Sequence, residues 1–460
     1  MILIRYLCLL VPIAVLLVAS RFDRTKHGRA GALLAAIGVM AGVAAQHEVA
    51  KLAGWWRFAP VDGAFRGLPV DLWLGWAMLW GAVPVLLRRF VPVPIVLIGL
   101  FWLDAVAMPR MGPLLELGPQ WMVGELVGLI FVALPAILAG RWSADRVHLW
   151  PRVVLQMVIF ASLALWLVPV VAFELGGGSW PRHQVSTIVQ IGLLIGVPAV
   201  TAVLEFARRG GGTPYPWDPP RRLVTTGPYA YIANPMQASM AALLAFLAIV
   251  TGAWALALAA AWVVAFSMAV AAIHEREQLR GRHGQQWMEY RGQVRDWLPR
   301  LRPYCPMVAS RGVADGTADI SDSPPSAVPA VLFLDFGCGP CSVIRDEFAR
   351  RQPVGLTLAD AAAHPQVLWR ARYEAADGYV ATGVVAVARA MEHVHLGWAC
   401  AGWVLRLPGV AWLAQQISDA VIVAPHPARG GTCPAPSSGS STAPCGRSAS
   451  TASRASRPAR

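Results

Sequence analysis

A chain of 460 residues that is 56% hydrophobic and only 14% charged carries more apolar surface than a water-soluble fold can hide, so the bilayer is its main solvent. The formal net charge of +13 does not indicate nucleic acid: Lys and Arg lie mostly in short loops between apolar runs and form no basic stripe with interleaved aromatics. Cys8, Cys305, Cys338, Cys341, Cys400, Cys433 and Cys445 are too scattered for a disulfide framework, and only Cys338 and Cys341 are close together.

Apolar runs fall near 2–20, 30–46, 69–87, 92–108, 121–139, 153–173, 187–206, 236–251 and 253–273, which predicts about nine spans of a hydrocarbon core roughly 30 Å thick. The first run is followed by Arg21, Arg24, Lys26 and Arg29 and preceded only by Arg5, the reverse of a cleavable signal peptide. It is expected to be a helix with its amino end outside. Alternate loops then carry Arg88 and Arg89, Arg141, Arg146 and Arg152, and Arg208, Arg209, Arg221 and Arg222, whereas the intervening loops are poor in positive charge. This alternation predicts a multi-pass protein of the cell membrane with its carboxyl end in the cytoplasm, where its thiols are reduced. His47, Glu48, Asp71, Asp104, Glu116 and Glu125 lie in or beside spans, mostly near loops, and are expected at the interface. Residues 1–186 form a transmembrane region to which the sequence assigns no role.

The last two spans are joined only by Thr251 and Gly252, which predicts an antiparallel hairpin with both free ends on one membrane face. Just before it stands Leu223-Val224-Thr225-Thr226-Gly227-Pro228-Tyr229-Ala230-Tyr231-Ile232-Ala233-Asn234-Pro235-Met236. Gly227 and Pro228 break helix, Pro235 starts the next helix, and Asn234 is placed as its cap. Just after the hairpin come Ile273-His274-Glu275-Arg276-Glu277-Gln278-Leu279, then Gly284, Trp287, Tyr290, Val294, Trp297 and Pro299. By physics alone this is a capped helix entry with interfacial tyrosines, facing a carboxylate at a membrane edge.

Taken together, the two halves resemble the superfamily of isoprenylcysteine carboxyl methyltransferases and phospholipid methyltransferases over residues 187–303. Its pattern is Gly-Pro-Tyr, Arg-His-Pro or Arg-Asn-Pro with an aromatic two residues later, a helical hairpin, Glu-Glu-x-x-Leu, Phe-Gly, Tyr-x-x-Tyr and a final Pro. Ala233 stands in place of the usual Arg, Gln237 of the aromatic, Arg276 of the second Glu, and His283 of the Phe before Gly284. The resemblance implies an S-adenosylmethionine-dependent methyltransferase acting on a lipophilic acceptor, isoprenoid or lipid-like, with Gly227, Tyr229, Asn234, Pro235 and Glu275 lining the cofactor. Glu275 would meet the cofactor's ammonium, and the helix start at Asn234 its carboxylate.

Residues 304–329, rich in Ser, Asp, Gly and Pro, read as a linker. At 330–425 a soluble-looking unit begins with a strand-like run and Asp335-Phe336-Gly337-Cys338-Gly339-Pro340-Cys341 at the expected start of a helix. Amide donors and the helix dipole there favour a thiolate, as thiol-disulfide chemistry requires. A zinc half-site is the structural alternative, but no second cysteine or histidine pair lies nearby. The unit resembles the thioredoxin-like family named for its Asp-Cys-Cys signature, with Asp377-Gly378, Gly383, Ala386 and Leu407-Pro408 as later landmarks and Phe336 in place of the usual Gly. This resemblance implies Cys338 as attacking and Cys341 as resolving thiol, with a thiol or disulfide partner. The tail 426–460, dominated by Ser, Ala, Pro, Gly and Arg, is expected to be disordered.

The expected fold class is thus mainly α: a polytopic transmembrane helical bundle with a small C-terminal α/β thioredoxin-like domain and a disordered tail. An alternative makes the redox unit the catalyst and the methyltransferase-like part a lipid-binding or docking module. Two further readings are a non-enzymatic membrane binding or transport protein, and an NADPH-dependent reductase sharing a similar hairpin.

Overall fold

The computed structural model describes residues 1–181, 183–218, 220–305 and 329–422, without the side chains of 270–278. The predicted tail and most of the predicted linker lie outside the described residues.

Six helices are long and apolar enough to cross a membrane: α1 (Ile2–Ala19), α2 (Lys26–Ala53), α4 (Val93–Arg110), α5 (Trp121–Asp145), α6 (Leu149–Gly176) and α7 (Val185–Gly210). Three of the nine expected spans form shorter apolar helices, α3 (Val70–Leu86), α8 (Pro235–Thr251) and α9 (Trp254–Ala269). A polar helix, α10 (Ala272–Gln293), follows and is broken at Gly284.

Helix α2 is the hub of the amino-terminal bundle. It is capped by Thr25, whose side chain accepts from the Gly28 amide at 3.0 Å, and it ends at Gly54 in the left-handed region. Its Ala and Gly residues let neighbours come into backbone contact: a Cβ on Gly31 would sit 2.4 Å from the Gly140 carbonyl of α5, and one on Gly81 of α3 would sit 2.7 Å from Ala35. Such close approach replaces the hydrophobic effect, which lipid does not supply between helices. Helices α3, α5 and α6 each contain a wide π turn, at Ala77–Ala82, Leu129–Ala133 and Leu163–Leu167, just before Pro84, Pro135 and Pro169. Proline donates no amide and crowds the carbonyl four residues back, and the wider turn accommodates both without breaking the span.

The expected interfacial placement fails for three side chains. His47, Asp104 and Glu125 are 3%, 6% and 1% exposed, enclosed by aromatic residues such as Trp56, Trp76 and Trp80. Of the others, Asp71 pairs with Arg5 at 2.6 Å, Glu48 pairs with Lys51 at 2.8 Å, and Glu116 is exposed.

Helices α7, α8 and α9 pack in succession, with Gly252 at φ +69 turning α8 back into α9. Two short antiparallel pairs belong to the amino-terminal part: β1 (Trp56–Phe58) with β4 (Leu115–Leu117), and the hairpin β2 (Ala64–Phe65) with β3 (Leu68–Pro69). The carboxyl-terminal unit is α/β. Strand β5 (Ala330–Leu334) is followed by α11 (Gly339–Arg351) and then by β6 (Leu356–Asp360), which lies parallel to β5. Strands β7 (Arg372–Glu374) and β8 (Val380–Thr382) add antiparallel on the other side, giving the order β6-β5-β7-β8. Helices α12 (Val384–Met391), α13 (Leu396–Leu405) and α14 (Pro408–Val421) complete it. Leu332, Leu334, Phe348, Ala386 and Ala390 form its core. Alternation along β5 sends Leu332 and Leu334 inward, as a period-2 strand requires.

Candidate functional site

The end of α7 organises the site. Glu205 is completely buried and uses both carboxylate oxygens. Oε1 accepts the Thr226 hydroxyl at 2.6 Å and pairs with Arg209 at 2.9 Å. Oε2 accepts from Arg389 at 2.5 Å and from Arg406 at 2.9 Å, residues of α12 and of the turn after α13. Arg389 and Arg406 also pair with Glu392, and Arg209 reaches Asp377. Three guanidinium groups thus face three carboxylates, and the Arg209 and Arg389 guanidiniums also lie over the Tyr379 ring at 4.4 and 4.6 Å. Burial on this scale is tolerable because the charges balance and are hydrogen-bonded. The network clamps the α/β unit onto the motif segment that follows α7.

The segment Gly227–Ala230 is a single 3-10 turn. Gly227 has φ +63, and a Cβ there would lie 3.3 Å from Glu205, so both conformation and space favour glycine. Tyr229 is buried against Phe206 of α7, with ring centroids 5.9 Å apart, and its carbonyl accepts the Tyr290 hydroxyl at 2.8 Å. Tyr231 is fully buried; its hydroxyl donates to the Glu392 carbonyl at 2.8 Å and its ring meets Trp403 of α13 edge-on. Ala233, where the resembling family carries Arg, packs into this same Tyr231, Tyr290 and Trp403 cluster.

Backbone bonds strap residues 295–304 along this segment. The Ala233 amide donates to the Arg295 carbonyl, the Arg300 amide to the Tyr231 carbonyl, and the Tyr304 amide to the Ala230 carbonyl, at 2.8–2.9 Å. Asn234 occupies the position before α8, as expected, but its side chain does not cap the helix. Instead its amide nitrogen donates 3.1 Å to Asp296, which also takes Arg291 at 2.6 Å. Pro235 is buried in the first turn of α8. The backbone at Glu275 is helical in α10, and its side chain lies outside the described residues. Helix α8 climbs about 24 Å over its 17 residues, and the 18 residues Trp254–Ala271 descend by about as much, so residue 275 is within roughly a turn of the level of Asn234.

In the α/β unit, Cys338 stands immediately before α11, and its amide donates to the Asp335 carbonyl at 3.2 Å. Asp335 also accepts the Gly337 amide on its side chain, which shapes the turn from β5 into the helix. Cys341 is half-buried, and burial together with the adjoining Cys338 thiol pushes its own thiol up to about 12. Both cysteines open onto a cavity of about 740 Å³ walled by Ile344, Val367, Trp369, Val384 and Val387, with Arg370 and Asp419 paired at its rim.

The turn, the hairpin and the Gly227-Pro228-Tyr229 segment coincide with a family match: residues 187–286 match the Phospholipid methyltransferase family, whose members use S-adenosylmethionine. The matched stretch begins where the resembling segment begins and makes this part of the chain similar to a membrane methyltransferase. No curated protein and no solved structure matches the chain.

Sequence reasoning placed Gly227, Tyr229, Asn234 and Pro235 on one connected segment, and the fold keeps them there. It missed Glu205, Arg389, Glu392 and Arg406. No local pattern marks them, because Glu205 and Arg389 are 184 residues apart.

Proposed function

We propose that residues 187–303 bind S-adenosylmethionine at the cytoplasmic face and transfer its methyl group to a lipophilic, isoprenoid or lipid-like acceptor. The observation that carries this reading is the family match over 187–286, which falls on the turn and hairpin. The first-turn amides of α8 suit a carboxylate, and Gly227 allows close backbone approach. By resemblance, Glu275 is assigned to the cofactor's ammonium. The sulfonium supplies the reactive methyl and its leaving group. The protein's part is to fix donor and acceptor in line and to exclude water, and the strap 295–304 with buried Tyr304 holds that segment in one conformation. The acceptor enters laterally from the membrane between helices.

The α/β unit is assigned a thiol-disulfide function, with Cys338 attacking and Cys341 resolving. The strand order β6-β5-β7-β8 and the cysteine pair at the β5–α11 junction support a thioredoxin-like unit. In the second reading this unit is the catalyst and the methyltransferase-like part docks it to lipid. The cavity beside the cysteines favours that reading over an inert domain.

The deciding experiment supplies methyl-labelled S-adenosylmethionine and total membrane lipid to the purified full chain and follows label into the organic phase. Transfer lost in Glu275→Gln and retained in Cys338→Ser supports the methyltransferase. The opposite pattern in a disulfide-reduction assay, with no lipid labelling, supports the redox catalyst.

A further inference from the structure

The amino-terminal bundle holds a second polar centre, far in sequence from the motif segment. Asp104 of α4 and Glu125 of α5 are hydrogen-bonded to each other, and both are buried. The Trp80 indole donates to Asp104 Oδ2 at 2.9 Å. The indole donor marks Asp104 as the ionised partner, and a carboxylate can accept from Glu125 only if Glu125 carries a proton.

Glu125 is 1% exposed, and no N–H or hydroxyl group among the described residues donates to its Oε1. It lines a cavity of about 10 Å³, about the room of one water, together with Gln46, His47, Trp56, Phe58 and Trp76. His47 is 3% exposed, and its Nε2 lies 3.3 Å from the Arg66 carbonyl. A carbonyl only accepts, so Nε2 carries the hydrogen and Nδ1 is left as an acceptor, itself without a partner among the described residues. Glu125 and His47, the latter with an unpartnered ring nitrogen, therefore line the same small cavity.

Gln46 does not fill that role, since an amide neither takes up nor releases a proton in this range and its nitrogen is held by the Gly124 carbonyl at 3.0 Å. His47 is the remaining titratable group lining the cavity among the described residues. Behind it, Glu48 and Lys51 of α2 and Arg66 of the β-hairpin loop form an ion-pair cluster at the bundle end.

We propose that Asp104 and Glu125 form a proton-binding site inside the membrane bundle, holding one proton between them and exchanging it through one water with His47. The path is Asp104, Glu125, the water and His47 Nδ1, with a solvent water beside Arg66 taking up the Nε2 proton that His47 then releases. Each transfer moves one proton along hydrogen bonds and needs no other reactant. An ionisable pair buried in a bundle, with one member lining a water-sized space, has no use in packing, which an apolar pair would serve better.

Infrared spectroscopy of the full chain in lipid nanodiscs tests this by the carbonyl stretch of a protonated carboxyl group. One such band is expected to persist at pH 7, well above the range near 4 where ordinary carboxyls ionise. It should disappear in Glu125→Gln and remain in Glu116→Gln, an exposed control. Absence of the band from the unaltered protein at pH 7 overturns the proposal without any variant. In His47→Gln the band should exchange with heavy water at least tenfold more slowly; an unchanged rate overturns the route through His47.

Discussion

Replacing Glu205 by Gln keeps the side chain's shape and removes its charge. Its carboxylate is fully buried with Arg389 at 2.5 Å and Arg406 at 2.9 Å, so the substitution leaves three guanidinium groups facing only Glu392 and Asp377. Breaking one partner out of a buried ion network costs about 3–5 kcal/mol, because the remaining charge has lost its compensation in a dry site. At roughly 2–4 °C per kcal/mol for a domain-sized unit, the unfolding midpoint in detergent should fall by on the order of 10 °C. Limited proteolysis between residues 305 and 329 should accelerate as the α/β unit loosens from α7. The double change Glu205→Met with Arg389→Met restores balance, with Arg209 and Arg406 against Glu392 and Asp377, and should recover most of the loss. An unchanged midpoint and unchanged proteolysis in Glu205→Gln would refute the claim that this network clamps the two parts together.

Gly227→Ala forces a side chain into φ +63 and to 3.3 Å from Glu205, at a cost of about 1–2 kcal/mol, and should weaken cofactor binding more than a neighbouring Ala230→Gly; calorimetry on both variants checks this. Because its thiol is raised to about 12, Cys341 should resist iodoacetamide at pH 8 in the reduced protein and gain reactivity only in strong alkali; mass spectrometry of alkylated peptides reads this, and ready labelling at pH 8 contradicts it. His393 is half-buried between the Tyr373 hydroxyl at 2.9 Å and the Val354 carbonyl at 2.8 Å, and its desolvation lowers its affinity for a proton below the ordinary imidazole value. The unfolded chain then binds the proton more readily, so this contribution to stability is complete above about pH 6.5 and is lost as pH falls below it. His393→Gln should flatten that part of the stability profile, and a profile as steep as before would count against it.

The local features were legible because they depend on neighbours in sequence. Gly252 reverses the hairpin, Pro235 opens α8, and β5 runs into Cys338 at the head of α11, all from short-range chemistry. Asn234 shows where that logic stops: its position was correct, but Asp296, sixty-two residues away, competes for its side chain. The burial of Asp104 and Glu125 was missed for a similar reason. Nearness to a loop suggests an interface, yet Trp55, Trp56 and the paired strands β1 (Trp56–Phe58) and β4 (Leu115–Leu117) fold over that end of the bundle and close it. The clamp at Glu205 joins charged residues that each look like ordinary helix-end arginines or acids when read singly. Ala233 in place of Arg becomes intelligible only beside Trp403, whose helix belongs to the other unit.

Binding of labelled S-adenosylmethionine to the detergent-purified full chain tests the central claim most directly. The account predicts saturable binding that Glu275→Gln and Asn234→Ala each weaken at least tenfold while the unfolding midpoint changes little. A folded protein that binds none, or variants that bind as well as the unaltered chain, would contradict it and leave the Cys338 unit as the seat of activity.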